Sequence, residues 1–220
     1  LASNQSHSVQ IKSLYNNIPN EIIDKLNTLP REDHSYSAFD LDNTLLIGDI
    51  GHSVFAAMVK EGLVKEFGWT DYINMRKVSI EAALKKIIEV MNGIDIKTLK
   101  TITEKITESK DEYIELEGVR IITPKPNPIM LSIITFLKAN GIDVYVVTAS
   151  NKISADIVCW KFFGIPSSNV FGSEINTKHG KINFNSKKMI PFADGKVKTL
   201  VNNFKGKPLV TGGDGMWDKY

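Results

Sequence analysis

A single cysteine, Cys159, occurs in the 220 residues, which excludes an internal disulfide, a thiolate zinc cluster and a CxxC redox pair together. Its scarcity leaves the compartment open, because a chain without disulfides works on either side of a membrane. No apolar run approaches the ~18 residues that cross a bilayer, so no membrane span is expected. Charge of one sign is scarce as well: 27 Lys plus Arg stand against 25 Asp plus Glu, leaving a formal charge of +2. That balance provides no field for gathering nucleic acid or an anionic membrane, and any anionic substrate must be held by local groups. The four histidines, His7, His34, His52 and His179, show no ligand spacing and are not expected to bind metal. Repeats and low-complexity tracts are missing too. What is present is ordinary for a globular chain, with 42% apolar and 24% charged residues. The length suits one compact domain with a modest insertion.

Periodicity divides the chain. Ile18, Ile22, Ile23 and Leu26 mark an amphipathic helix within Ile11 to Leu29 that Pro30 closes, so residues 1–34 read as an N-terminal helical arm. Ser35 to Phe39 reads as a short buried strand ending at Asp40. From Asp49 to Glu117 the pattern is helical, with Gly68-Trp69-Thr70 and Asn92-Gly93 as breaks, which predicts three or four helices. Its Lys and Glu residues form a solvated face. Next come a helix from Ile129 to Asn140, a β-branched strand from Ile142 ending at Thr148, and a helix from Ile153 to Phe163. Val170 to Phe184 reads as a hairpin, Gly195 to Phe204 as a helix, and Pro208 to Thr211 as a strand stopping at Gly212-Gly213-Asp214. Alternating strands and helices predict an α/β fold, a doubly wound, Rossmann-like parallel sheet with helices on both faces. The expected organisation is a core of 35–48 and 119–220, with 49–118 as an inserted helical unit. Trp69, Trp160 and Trp217 read as packing residues.

Three of these strands end in polar clusters: Asp40-Leu41-Asp42-Asn43-Thr44, Thr148-Ala149-Ser150, and Gly213-Asp214-Gly215-Met216-Trp217-Asp218. Ligands of open α/β sheets bind outside the carboxyl ends of strands, so the clusters are expected to converge. Asp40 and Asp42, two apart, leave an extended chain on one face. With Asp214 and Asp218 they crowd negative charge that a cation relieves, and hard oxygen donors without His or Cys favour Mg²⁺ over zinc. A carboxylate beside Mg²⁺ can attack phosphorus and form an aspartyl-phosphate. Thr148, Ala149, Ser150 and Lys196 supply hydroxyl, backbone N–H and ammonium groups for phosphoryl oxygens.

These runs resemble the four motifs of the haloacid dehalogenase superfamily, in its phosphoserine-phosphatase-like branch. Phe39 to Leu46 with Gly48-Asp49 resembles the first, Val147 to Ser150 the second, Gly195 to Leu200 the third and Gly213 to Asp218 the fourth. A bare DxDxT arises by chance in about 3% of chains of this length, whereas four motifs in order are far more specific. The resemblance implies a helical cap between the first two motifs. It further implies Asp40 as nucleophile and Mg²⁺ ligand, and Asp42 as a backbone-carbonyl ligand whose side chain is general acid and base. Thr148 and Lys196 would grip the phosphoryl group, Asp214 would complete the metal shell, and Asp218 would be an auxiliary acid. Asp42 favours phosphatase over dehalogenase chemistry. Asp49 stands where relatives contact a substrate amine, which suggests phosphoserine or phosphorylcholine; a helix N-cap is the other reading, left open.

The expected activity is therefore an Mg²⁺-dependent phosphatase acting on a small phosphomonoester. The alternatives are a phosphotransferase with the same intermediate, a non-catalytic phosphate-binding module of the same fold and, last, a receiver domain. The expected partner is a small phosphorylated metabolite. The chain ends at Tyr220, just past the fourth motif, where this fold normally continues with a helix and more sheet. Its N-terminal arm is similar to those of exported phosphatases resembling phosphorylcholine phosphatase, which favours export.

Overall fold

The computed structural model describes residues 17–29 and 35–218. Four parallel strands form the central sheet, in the order β10-β1-β6-β7. These are β1 (Tyr36–Phe39), β6 (Asp143–Asn151), β7 (Val170–Ser173) and β10 (Val210–Gly212). All four residues of β1 are buried, as suits an interior strand of a parallel sheet. Helix α6 (Pro128–Ala139) starts with Pro at its first turn and packs on β6. Helix α7 (Lys152–Phe163) is capped by Asn151, whose Oδ1 accepts from Ser154 N at 2.9 Å, and stops at left-handed Gly164. It packs on β6 and β7, and α8 (Asp194–Asn203) also meets β6. The α/β parallel-sheet architecture is as expected.

After β2 (Leu46–Ile47) come four helices: α2 (Ile50–Lys60), α3 (Trp69–Val78), α4 (Ile80–Glu89) and α5 (Ile96–Glu108). Helical structure does not continue to Glu117. A hairpin follows instead, β3 (Tyr113–Leu116) with β4 (Val119–Ile122), turning through Glu117 and Gly118, both at positive φ. Two left-handed residues favour a tight two-residue hairpin turn, and the β-branched Val119, Ile121 and Ile122 suit a strand. The turn also caps α3: the Glu117 carboxylate accepts from Trp69 N at 3.0 Å and from Thr70 N at 2.9 Å. A short strand, β5 (Lys125–Pro126), pairs with β2 before α6.

Two further boundaries differ from the sequence pattern. Val170 to Phe184 is not one hairpin, because the apolar β7 joins the central sheet and only β8 (Asn176–Lys178) and β9 (Lys181–Asn183) turn back on each other. That small hairpin clips the α4–α5 connection, with Gly93 N donating to Ile182 O and Ile182 N donating to Ile94 O, both at 2.9 Å. Strand β6 does not stop at Thr148 but runs to Asn151, which pairs with Ser173 beyond a register shift. Gly172 permits this close approach, since a Cβ there would lie 2.8 Å from Lys152 Cα.

Of the N-terminal arm, α1 (Asn20–Asn27) is helical; Ile11 to Asn16 and the Pro30 stop lie outside the described residues. One continuous apolar core joins the four-helix segment to the sheet, with Phe55, Ile88 and Leu99 in the same cluster as Leu41, Leu137 and Val146. Trp160 departs from its expected packing role and is 66% exposed, because it lies on the outer side of α7.

Candidate active site

The chain leaves β1 at Asp40, whose backbone N–H donates to Gly212 O at 2.9 Å and ties the first cluster to the end of β10. Residues Leu41–Leu45 form a wide turn held by fully buried Leu41 and Leu45, with Asn43 in the left-handed region. Asn43 N–H donates to Gly48 O at 2.9 Å, which closes the turn and returns the chain toward α2. Asn43 belongs to a residue type that tolerates this conformation.

The three expected strand ends converge. Asp40, Asp42, Asp49, Thr148, Ala149, Ser150, Lys196, Asp214 and Asp218 all line one cavity of about 150 Å³. Lys196, in the first turn of α8, sets its Nζ 2.7 Å from Asp40 Oδ1 and bonds Asp218 as well. Carboxylate oxygens of Asp40, Asp214 and Asp218 lie within 4.8 Å of one another. Burial, aided by the Asp218 charge, pushes the Asp40 carboxyl up to about 6 even though Lys196 draws it down. Burial and Asp218 also raise Asp214. Lys196 is held above the usual lysine range: burial opposes its charge, but Asp40 and Asp218 prevail. Mutually repelling hard oxygens around one point fit a Mg²⁺ ion, and the described residues place no His or Cys among them.

Asp42 faces a different set of partners. Its Oδ2 accepts from Thr148 Oγ1 at 2.9 Å and Ser150 Oγ at 2.7 Å, and its Oδ1 accepts from Ile50 N at 2.7 Å. Burial, followed by the charges of Asp49 and Asp40, raises this carboxyl well above the ordinary range against those hydrogen bonds. The side chain therefore stands apart from the Asp40, Asp214 and Asp218 cluster. Thr148 Oγ1 also accepts from Ser150 N at 3.0 Å, so that backbone N–H is already engaged.

Asp49 lines the cavity and also starts a helix. It is the N-cap of α2, with Oδ1 accepting from His52 N at 2.8 Å. Its Oδ2 lies 3.0 Å from His52 Nδ1. Burial opposes the Asp49 charge, but His52 and then Arg76 draw its carboxyl below the usual range. His52 Nε2 in turn lies 2.5 Å from the Tyr72 hydroxyl. Tyr72, Arg76 and Phe192, which the sequence did not mark, line the cavity, as does His52, which the sequence marked only as lacking metal-ligand spacing. The available signals were His52 three residues after a capping Asp, and Tyr72 and Arg76 one turn apart on α3. Trp217 packs on Phe192 with ring centroids 5.4 Å apart, yet it remains 40% exposed and lines the same cavity.

The family model for haloacid dehalogenase-like hydrolases matches residues 38–218. No curated protein matches the chain. Among solved structures, a conserved protein of unknown function from Anaerococcus prevotii is similar at TM-score 0.62 and 17% identity, over 97% of this chain and 81% of that one. A HAD-family hydrolase from Salmonella enterica serovar Typhi is similar at 0.60 and 16%, over 87% and 60%. A phosphoserine phosphohydrolase-like protein from Francisella tularensis is similar at 0.56 and 14%, over 84% and 80%. At such identities the likeness is one of fold.

Proposed function

This chain belongs to the haloacid dehalogenase-like hydrolase family, and we propose that it is a magnesium-dependent phosphatase of small phosphomonoesters working through an aspartyl-phosphate on Asp40. The observation that carries the reading is the meeting of Asp40 with Lys196 at 2.7 Å, beside Asp214 and Asp218, at the carboxyl end of the sheet. Asp40, Asp214 and the Asp42 backbone carbonyl would hold the ion, with Asp218 beside it. Bound Mg²⁺ neutralises phosphoryl charge and lets a carboxylate approach phosphorus.

The protein's own groups do the rest. Lys196 steadies the phosphoryl oxygens and orients the Asp40 carboxylate by their shared ion pair. Asp40 forms a bond to phosphorus as the alkoxide leaves. Asp42, held above the ordinary carboxylate range, carries the proton that the leaving oxygen takes. It then accepts a proton from the water that cleaves the acyl phosphate and frees Asp40 and inorganic phosphate. Thr148 and Ser150 donate their hydroxyl protons to Asp42 Oδ2 and so fix the Asp42 carboxyl. Segment 49–118 acts as a cap over a core of 35–48 and 119–220, supplying His52, Tyr72, Arg76, Ile80 and Leu84 to the cavity wall. A cavity of about 150 Å³ suits a metabolite.

The experiment measures phosphate release from p-nitrophenyl phosphate with and without Mg²⁺, for wild type and Asp40→Asn. Turnover confined to wild type with Mg²⁺ supports the reading. Equal background rates in all four samples overturn it in favour of a binding module.

A further inference from the structure

Hinged movement of one unit over another requires that few buried contacts cross between them. Segment 49–118 meets that condition poorly, because it is fastened to the rest of the chain at two places besides its own ends. The first lies at the break Asn92-Gly93. Hairpin β8–β9 turns through His179 and Gly180, both at positive φ, and lays a backbone edge against the α4–α5 connection. Gly93 N donates to Ile182 O, Ile182 N to Ile94 O and Ile96 N to Gly180 O, each at 2.9 Å. The Asn92 side chain continues this ladder: Phe184 N donates to its Oδ1 at 2.6 Å, and its Nδ2 donates to Phe184 O at 3.2 Å. Ile182 and Phe184 are buried in the same apolar cluster as Ile88 and Met91 of the segment. The second fastening joins α5 to α7. Thr103 Oγ1 and Ser154 Oγ lie 2.9 Å apart with both residues fully buried, and Glu108 pairs with Lys161 at 2.8 Å nearer the C-terminal ends of the two helices.

We propose that segment 49–118 is a fixed wall of the catalytic cavity rather than a moving lid, and that substrate and phosphate exchange through a standing mouth while it stays in place. The inference rests on the phosphatase reading and the core-and-cap division above. Two observations carry it. First, a swing of the segment about its ends near Asp49 and Gly118 would strip β9 from the α4–α5 connection and part Thr103 from Ser154. Buried polar groups would be left unpaired until water reached them. The hairpin also holds α4 just beyond its C-terminal end, while Ile80 and Leu84 of the same helix line the cavity, so that part of the wall is pinned by the same hydrogen bonds. Second, the cavity already meets solvent. Asn43, Arg76 and Trp217 line it and are exposed, so a small ligand enters without displacing the segment. The mouth, not a closing lid, then limits the size of the leaving group.

The test locks the segment in place with disulfides. Asp95 and Lys181 face each other as the non-hydrogen-bonded pair of the ladder, where antiparallel strands approach closely enough for a disulfide, and both are exposed. One variant carries Asp95→Cys with Lys181→Cys. A second carries Thr103→Cys with Ser154→Cys and joins α5 directly to α7, so that a hairpin travelling with the segment cannot hide a swing. The exposed pair tests the clip whether or not the buried pair is tolerated. Each variant is assayed for phosphate release from p-nitrophenyl phosphate with Mg²⁺, oxidised and again after dithiothreitol. Thiol titration of the unfolded chain confirms closure, when Cys159 alone reacts. The reduced form of each variant is its own reference and cancels any loss due to the substitutions. The expected result is that kcat and kcat/KM of the oxidised and reduced forms agree within about threefold, because no step waits on the segment. A lid that had to lift or to close further would be trapped, so a fall beyond about threefold on oxidation, recovered with dithiothreitol, in either variant overturns the inference and leaves the phosphatase reading intact. No phosphate release from wild type with Mg²⁺ overturns that reading, and the exchange route with it.

Discussion

Lys196 offers the most demanding check, because one ammonium serves two carboxylates in a water-poor corner. Lys196→Met keeps the aliphatic stem and removes the charge. In the structure Nζ lies 2.7 Å from Asp40 Oδ1 and also bonds Asp218, and the three side chains are only 10–14% exposed. Breaking a buried pair by deleting one partner costs about 3–5 kcal/mol, an upper figure here because Asp40 already lies near 6 and escapes part of the penalty by taking a proton. Catalysis suffers separately. Losing one fixed group that stabilises developing charge costs about 10²–10³ in rate. Each unit by which the Asp40 carboxyl rises further costs up to about another tenfold at neutral pH. The assay is kcat on p-nitrophenyl phosphate with saturating Mg²⁺, alongside urea unfolding in a chelator. The expected result is a fall of at least about 10²-fold in kcat with a lower unfolding midpoint. A variant within about fivefold of wild type would refute the claim that this ion pair aims the nucleophile.

Three further outcomes follow from the geometry. Gly51→Ala would place a Cβ 2.7 Å from Ser150 Oγ, forcing that hydroxyl off Asp42; a hydrogen bond between uncharged groups is worth about 0.5–1.5 kcal/mol, so kcat should fall by up to about tenfold, and unchanged kcat would discount the Ser150–Asp42 contact. Asp40 keeps its proton more tightly folded than unfolded, its carboxyl rising from 3.8 to about 6, so its ionisation costs the metal-free fold up to about 3 kcal/mol as pH climbs from about 4 to 6. Mg²⁺ relieves that cost and should raise Tm more at about pH 7.5 than at about pH 5 in a thermal-shift titration; equal increments would count against Asp40 as a ligand. Glu117→Ala removes the carboxylate that accepts from Trp69 N and Thr70 N at the start of α3 and should cost about 1 kcal/mol in urea unfolding, with no effect if solvent caps that helix equally well.

The site was legible where its residues sit beside strands that periodicity marks. Asp40 follows the buried Tyr36–Phe39, Thr148 lies in the β-branched strand, and Asp214 follows Val210–Gly212, so their meeting at one sheet end follows from parallel topology. His52, Tyr72 and Arg76 were illegible because the bland readings, a helix face and an aromatic core residue, fit each of them alone. Boundaries failed where tertiary pairing overrode local pattern: Asn151 remains in β6 because Ser173 pairs with it.

The alternation of the central strands with helices, the acidic strand ends and the lack of thiols or a dominant charge are written in the residues themselves, since they depend on period and composition. Which carboxylate touches which partner is not. Asp40 and Asp42 stand two residues apart, yet one meets Lys196 from 156 positions later and the other meets Thr148 and Ser150. Only folding decides that division, because burial and the packing of remote segments set the distances over which charges act.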